Sequence, residues 1–292
     1  MTAFSACLLG FGEVGQTLTR DLRVRVGQLT AWDLEFADGN SAPSRAAAEL
    51  DVLMAPDAPR SVAGADLVIS AVTAAQIGDA ARSVASHLKP GAYYFDLNST
   101  SPSAKGEAAG IIDSAGGRFV EAAIMSPISP RRAASPMLLG GPHAAAFLPL
   151  ARELGFSGAE VFSGKLGAAS AAKMCRSVVI KGLETLMIES LLAARHHGVD
   201  GAVLESLRSL FSEDNTSATP RYMISRALVH GRRRAEEMSE VARTVAEAGI
   251  SSRMSSACAE WQEWASHHSD AATTPDIGVM LDALLATRRS AS

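Results

Sequence analysis

Short apolar runs alternate with helix-like stretches through the first half of the chain. Gly, Asp and Pro residues flank these runs, as turns between strands require. The alternation predicts a Rossmann-type doubly wound α/β fold, in which crossover helices cover an open parallel sheet. The candidate strands are residues 4–9, 29–32, 67–71, 93–97, 119–122, 137–139 and 160–162.

After Gly164 the apolar residues recur at the spacing that is typical of helices. We therefore predict an α/β domain at residues 1–163 and an all-α C-terminal domain at residues 164–292. Proline is absent from residues 165–197, so one helix of about 45 Å is expected there. Apolar residues surround this helix on several faces, which favours its burial between the subunits of a homodimer.

The composition is that of an ordinary globular protein. The 292 residues carry a formal net charge of −4, with 47% hydrophobic and 20% charged residues, which argues against disorder and against a nucleic-acid partner. Its three cysteines form no paired motif, as expected of free thiols in a reducing cytoplasm. We find no basic leader and no apolar run of about 20 residues, so we expect a cytoplasmic protein without a membrane segment.

A glycine-rich turn follows the first predicted strand. It consists of Gly10, Phe11, Gly12, Glu13, Val14 and Gly15. This GxGxxG spacing between a strand and a helix indicates a dinucleotide site. The first glycine permits a tight turn, the second lets a pyrophosphate approach the helix N-terminus, and the third lets helix and strand pack closely. Glycines that serve only a turn are the alternative.

Asp33 supports the dinucleotide interpretation. It ends the second predicted strand, roughly 20 residues after the glycine turn, where a carboxylate accepts hydrogen bonds from the adenosine ribose. Glu35 follows it where an arginine would be needed to bind a 2′-phosphate. The sequence therefore predicts NAD as the cofactor, with NADP possible, and assigns residues 1–163 as an NAD(P)-binding domain.

Several segments resemble the β-hydroxyacid dehydrogenase family, which includes 3-hydroxyisobutyrate dehydrogenase and is related to 6-phosphogluconate dehydrogenase. Residues 10–15 are similar to its opening motif, 65–72 to a strand that covers the cofactor, 96–102 to a segment near the nicotinamide, and 164–173 to the glycine-x-x-glycine run before the catalytic lysine. The resemblance implies that Lys173 is catalytic. It also implies that Val72, Thr73, Asn98 and Ser99 bind the cofactor, although Asn98 and Ser99 could instead cap a turn.

The chain also departs from the family pattern. Arg176 and Ser177 replace an Asn-Asn pair after the lysine, and residues 121–127 replace the Asp-Ala-Pro-Val-Ser-Gly-Gly segment. Pro127 there removes a backbone donor that a substrate carboxylate would use. The run at 230–238 resembles the signature of a divergent branch with an uncharacterised type of helical C-terminal domain. We infer that the substrate pocket of this chain is rebuilt.

Hydride transfer from an alcohol requires a base beside the hydroxyl, and Lys173 can supply it if its pKa falls from about 10.4. A lysine whose charged end only reaches solvent is the alternative. The predicted substrate-binding residues are Ser126, Ser177, His230 and Arg234. Ser126 could instead belong to a loop without function, and Ser177 could bond back to a carbonyl of its own helix. The basic cluster at 230–237 and the pair Arg131 and Arg132 are candidate anion sites, or else solvated faces. Because the histidine pairs lack ligand spacing, no metal is expected.

The leading hypothesis is an NAD-dependent oxidoreductase that transfers hydride between nicotinamide and a small β-hydroxy acid or its 3-oxo partner. Lys173 would act as general acid and base. Imine reduction is one alternative, although the lysine argues against it. A non-catalytic NAD(P)-binding regulatory protein is the other. The expected partners are a small hydroxy-acid substrate and a second copy of the chain.

Overall fold

A computed structural model describes residues 4–207, 219–247 and 249–289, apart from some helical side chains in the second half of the chain. It divides into two compact units, one ending at Val178 and the other beginning at Val179. The strand-forming part of the chain ends at Ser163, close to the domain boundary expected from the sequence. That boundary stays a prediction.

The first unit alternates strands and helices. Its strands are β1 (Ser5–Leu9), β2 (Gln28–Trp32), β3 (Leu53–Met54), β4 (Leu67–Ser70), β5 (Tyr93–Asp96), β6 (Arg118–Ile124), β7 (Met137–Gly140) and β8 (Ala159–Ser163). Its helices are α1 (Glu13–Leu22), α2 (Ala42–Glu49), α3 (Ala58–Val62), α4 (Ile77–Val84), α5 (Pro102–Ser114), α6 (Ala144–Glu153) and the first part of α7 (Ala168–His196). The long helix expected at 165–197 is thus confirmed as α7.

The eight strands form one sheet in the order β3-β2-β1-β4-β5-β6-β7-β8. This order confirms the doubly wound fold, since the chain first builds outward from β1 and then from β4. Two features differ from the sequence prediction. The two-residue edge strand β3 is too short for a periodic signal. Strand β7 runs antiparallel to β6, because the loop at 125–136 reverses the direction of the chain and begins and ends at the same end of the sheet.

The core lies on both faces of the sheet. Along β4 and β5, successive side chains enter opposite layers: Ile69 and Phe95 pack on one face, and Val68 and Tyr94 on the other. These central strands read as continuous apolar runs in the sequence because both of their faces are buried. The few charged residues inside them are therefore exceptional, and they bear on the site described below.

The second unit contains the rest of α7 together with α8 (Asp200–Leu207), α9 (Thr219–Glu247), α10 (Arg253–Ser266) and α11 (Ile277–Arg289). Helices α9 and α10 approach closely at Gly231, where a Cβ would lie 2.2 Å from the carbonyl oxygen of Gln262. Leu228, Ala265 and Met280 form part of its small core. Among the described residues, none of the helices is both long and apolar enough to cross a membrane.

Candidate functional site

The glycine turn lies where the sheet reverses its strand order. Strands β1 and β4 are neighbours there, and ligands of open α/β sheets bind in the crevice at the carboxyl ends of such a strand pair. Gly10 has a φ of +98°, and a Cβ on it would lie 2.4 Å from the carbonyl oxygen of Ala71, just after β4. A Cβ on Gly15 would lie 2.4 Å from the carbonyl oxygen of Gly10. Both glycines are required by close backbone packing.

Gly12 has a different role from its neighbours. It is the exposed N-cap of α1, and a Cβ built on it would meet nothing within 4 Å. Since the folded chain does not need this space, the missing side chain leaves the amides of the first turn open to a ligand. An anion would also be favoured by the positive end of the helix dipole.

The other residues of the glycine turn divide between core and surface. Phe11 is fully buried and contacts Phe36, with ring centroids 5.8 Å apart, so only its backbone can serve a ligand. Val14 packs against the core and Glu13 is exposed. The predicted cofactor residues of this turn therefore offer backbone groups, with Glu13 at the rim.

Asp33 connects the end of β2 to the glycine turn. One carboxylate oxygen accepts the Phe11 amide at 2.7 Å, and the other accepts the Glu35 amide at 2.9 Å. Because a carboxylate has about four acceptor positions, both oxygens can still accept hydroxyl hydrogens. The geometry fits the ribose role predicted for Asp33.

Val72 and Thr73 continue the chain beyond β4. The Cγ1 atom of Val72 lies 3.0 Å from the position of a Cβ on Gly10, so this segment contacts the glycine turn directly. Thr73 is exposed and precedes a short 3-10 turn. Both residues lie at the carboxyl edge that holds Gly12 and Asp33.

A buried polar network lies at the ends of β4 and β5. The Asp96 carboxylate is fully buried and lies 3.0 Å from the Lys105 ammonium of α5, which is also fully buried. Asp96 accepts the amide of Asn98 at 3.0 Å, and the Asn98 side chain donates to Ser70 at 2.9 Å. Burial raises the pKa of Asp96, and the charge of Lys105 acts in the opposite direction. The Asn98 side chain thus faces the interior and holds the turn that precedes Ser99.

Ser99 and Lys173 meet at the same edge of the sheet. The Lys173 ammonium, on the second turn of α7, donates to the Ser99 hydroxyl at 2.6 Å. Ser99 is exposed and Lys173 is half-buried, so the pair is open to a small molecule. Gly167 lets the chain approach α5 before α7 begins, since it has a φ of +86° and a Cβ on it would lie 3.1 Å from Pro102. Two segments far apart in sequence are thus brought together as a pair with acid and base chemistry.

The predicted substrate-binding residues are distributed over both units. Ser126 follows β6 at the same edge, with its hydroxyl donating to the Pro127 carbonyl at 3.0 Å, and Ser177 lies one turn after Lys173 on α7. His230 and Arg234 lie on α9 in the second unit. The side chain of Glu237, which closes the predicted basic cluster, lies outside the described residues.

The second candidate anion site is occupied by a carboxylate of the chain itself. Arg132 forms an ion pair with Asp21 at 3.0 Å, and the same carboxylate accepts the Ala133 amide at 3.2 Å. Asp21 lies near the C-terminal end of α1, opposite to the helix end that faces the crevice. Arg131 is exposed in the same loop. In the described ranges no group of three or more His, Cys, Asp or Glu side chains could hold a metal ion.

Lys105 and Glu121 were not identified by the sequence reasoning as residues of the site. Both side chains are fully buried. Lys105 contacts the segment that carries Ser99, and Glu121 contacts the helix that carries Lys173. The available signal was a charge inside an apolar element: Glu121 interrupts an apolar strand, and Lys105 follows the Ser-Pro start of a helix rich in alanine.

Comparison with known proteins identifies the family of the first unit. Residues 5–162 match the model of the NAD-binding domain of 6-phosphogluconate dehydrogenase. The chain belongs to this family. Residues 194–265 match a second model, a domain of unknown function named DUF1932. The predicted resemblance, with its uncharacterised type of helical C-terminal domain, is confirmed.

Two relatives at about 30% identity are described as uncharacterised or of unknown function. An uncharacterised 28.5 kDa protein of Methanothermus fervidus is 30% identical, covering 80% of this chain and 87% of its own. A solved protein of unknown function, described as structurally similar to 3-hydroxyacid dehydrogenases, is 31% identical with a TM-score of 0.57, covering 90% of this chain and 98% of its own. An imine reductase of Myxococcus stipitatus in complex with NADP+ shares the fold alone, at 16% identity and a TM-score of 0.73 over 96% of this chain and 99% of its own.

The chain therefore has an NAD(P)-binding domain of a dehydrogenase-like family. Its residues fit the cofactor class in two respects. Gly12 leaves open a space that a Cβ at this position would fill. The Asp33 carboxylate, at the end of β2, can still accept further hydrogen bonds. The turn at 10–15 would hold the pyrophosphate, and Asp33 would hold the adenosine ribose.

Proposed function

We propose that the protein is an NAD-dependent oxidoreductase that acts on a small β-hydroxy acid or its 3-oxo partner. The observation that carries the proposal is the 2.6 Å hydrogen bond between Lys173 and Ser99, at the sheet edge that also carries the glycine turn. A bound nicotinamide would accept or supply the hydride. The chain's own residues would bind the substrate and move its proton.

Lys173 is the proposed general acid and base. In oxidation its neutral amine accepts the substrate hydroxyl proton, and in reduction its ammonium returns a proton to the carbonyl oxygen. Ser99 lies within hydrogen-bond distance of Nζ, so its hydroxyl can hold the same substrate oxygen and orient the amine. A serine beside the amine is useful in both directions, because a hydroxyl can donate and accept.

Substrate recognition at this edge is assigned to Ser126 and Ser177 of the first unit. The assignment of His230 and Arg234 to a substrate carboxylate stays a prediction from the sequence. NAD is favoured over NADP because a 2′-phosphate beside the Asp33 carboxylate would meet electrostatic repulsion.

A homodimer remains part of the proposal, and the molar mass from light scattering tests it.

The test is a screen of small hydroxy acids, among them 3-hydroxyisobutyrate and L-serine, with NAD+ and NADP+ and with nicotinamide absorbance as the readout. Lys173→Ala should lower turnover by about two orders of magnitude or more and leave cofactor affinity unchanged. Lys165→Ala, at an exposed lysine before α7, is the matched control. Unchanged turnover in Lys173→Ala would refute the assignment. NADH binding without turnover of any acid would favour the regulatory alternative.

A further inference from the structure

Glu121 is a charged residue at the centre of the sheet. It lies on β6, paired in register with Asp96 of β5 on one side and with Gly140 of β7 on the other, and it is fully buried. A buried carboxylate is costly unless it is hydrogen-bonded. Its partners therefore indicate why the chain keeps it.

The partners of Glu121 are backbone amides at the start of α7. One carboxylate oxygen accepts the Gly167 amide at 2.6 Å, and the other accepts the Ser170 amide at 2.5 Å. The positive end of the α7 dipole adds to these charge-assisted bonds. Lys173 lies three residues after Ser170, on the same face of the helix one turn later. Glu121 thus fixes the turn from which Lys173 extends.

The neighbouring strand has a recess that accommodates this carboxylate. A Cβ on Gly140 would lie 2.7 Å from one oxygen of Glu121, so a larger residue there would displace the carboxylate. A displaced carboxylate could not keep both amide bonds, since each is near the short limit for hydrogen bonding. The position of the first turn of α7 therefore depends on Glu121 and on the missing side chain of Gly140.

The residue before Ser99 is held by the neighbouring carboxylate in a similar way. Asp96, the register partner of Glu121, accepts the amide of Asn98 immediately before Ser99. Two adjacent buried carboxylates thus hold the two sides of the contact: Asp96 fixes the turn of Ser99, and Glu121 fixes the helix of Lys173.

We propose that Glu121 is a positioning residue. It fixes the position of α7 along the helix axis, so that Lys173 Nζ reaches Ser99 Oγ. The proposal rests on the proposed function, since it explains how the acid and base pair of that reaction is aligned. Misplacement by about 1 Å is enough to lower a rate by about a hundredfold. Glu121 itself touches neither substrate nor reacting atoms in this assignment.

The test measures the contact itself rather than turnover. Trace acetylation with acetic anhydride, followed by peptide mass spectrometry, gives the labelling rate of Lys173 relative to Lys165 as internal reference. Ser99 accepts a hydrogen bond from the ammonium and so favours the protonated amine, and Ser99→Ala should raise the relative rate about threefold. In a Glu121→Gln background the same substitution should change it by less than about 1.5-fold, because the two groups no longer meet.

Each outcome decides a separate point. An equal increase in both backgrounds would overturn the positioning role and leave the proposed function intact. No increase in the presence of Glu121 would mean that Ser99 and Lys173 do not interact, and both proposals would fall. Glu160→Gln, at an exposed glutamate of β8, is the matched control and should keep the full increase.

A second readout separates alignment from general damage. With an acid that turns over in the screen, Glu121→Gln should lower kcat about 10- to 100-fold and leave the Kd for NADH within about twofold. Glu121→Asp, which keeps the charge, should recover part of the loss. Equal losses of kcat and NADH affinity would indicate a merely structural role. If Glu121→Gln does not fold, Gly140→Ala displaces the carboxylate without changing its charge and should give the same results.

Discussion

Replacing Lys105 by methionine tests the buried charges beneath the site. The Lys105 ammonium lies 3.0 Å from the Asp96 carboxylate and donates to the carbonyls of Asp96 at 3.1 Å and Ala122 at 3.5 Å. Methionine has a similar length but no charge, so Lys105→Met leaves the Asp96 carboxylate buried without its cation. Removing one partner of such a pair costs about 3–5 kcal/mol of unfolding free energy near pH 7.

The loss should depend on pH in a defined direction. Burial raises the pKa of Asp96 above its ordinary value, and Lys105 offsets part of this rise. In Lys105→Met the pKa of Asp96 in the folded protein rises further. A carboxyl group whose pKa is raised in the folded state stabilises the fold at low pH, and this contribution is lost as the pH rises through that pKa. The penalty should therefore shrink on acidification, by up to about 1.4 kcal/mol per pH unit between the wild-type and variant pKa values.

Urea unfolding followed by far-UV circular dichroism at pH 7 and pH 5.5 measures both quantities. The double variant Lys105→Met with Asp96→Asn should regain at least half of the loss and show little difference between the two pH values. Lys89→Met is the control, since Lys89 pairs with Asp66 at the surface and should cost no more than about 1 kcal/mol. A loss below about 1 kcal/mol in Lys105→Met, or a loss that grows on acidification, would refute the reasoning.

Two further predictions concern the cofactor turn. Gly12→Ala should weaken NADH binding at least about tenfold, because its Cβ would enter open space that the ligand needs, and should cost no more than about 1 kcal/mol of stability through the poorer N-cap. Gly10→Ala should instead lose about 2 kcal/mol or more of stability through its contact with Ala71; equal effects in titration and unfolding would contradict this. Asp33→Asn should reduce the ratio of NADH to NADPH affinity about tenfold, and Glu35→Gln should change it less; an unaltered ratio would exclude the ribose role.

Much of the first unit could be predicted from the sequence because its signals are local. The alternation of apolar runs and turn residues gave seven of the eight strands. The glycine spacing located the turn between β1 and α1, where the three glycines differ in what surrounds them. Strand β3 was missed because two residues have no period. The direction of β7 was missed because the direction of a strand depends on the end of the sheet at which the preceding loop re-enters it.

Lys173 and Ser99 were predicted as two separate residues of the site, and their contact was not. It joins segments 74 positions apart, and its geometry depends on β5 and β6 lying side by side. The same holds for the residues that were overlooked. A lone glutamate in an apolar strand has no partner within its own segment, so its meaning depends on the neighbouring strands and on the helix that begins above it.

The pairing of Asp96 with Glu121 has a consequence for how the site can vary. If these two buried carboxylates hold the Ser99 turn and the start of α7, the alignment of the Lys173 and Ser99 pair depends on the interior of the first unit. The residues after β6 could then change to suit another substrate while the acid and base pair kept its geometry. The altered segment at 121–127 fits this division, since Glu121 faces the helix and Ser126 lies at the open edge. Substitutions at Ser126 should accordingly alter KM for the acid, and substitutions at Glu121 should alter kcat.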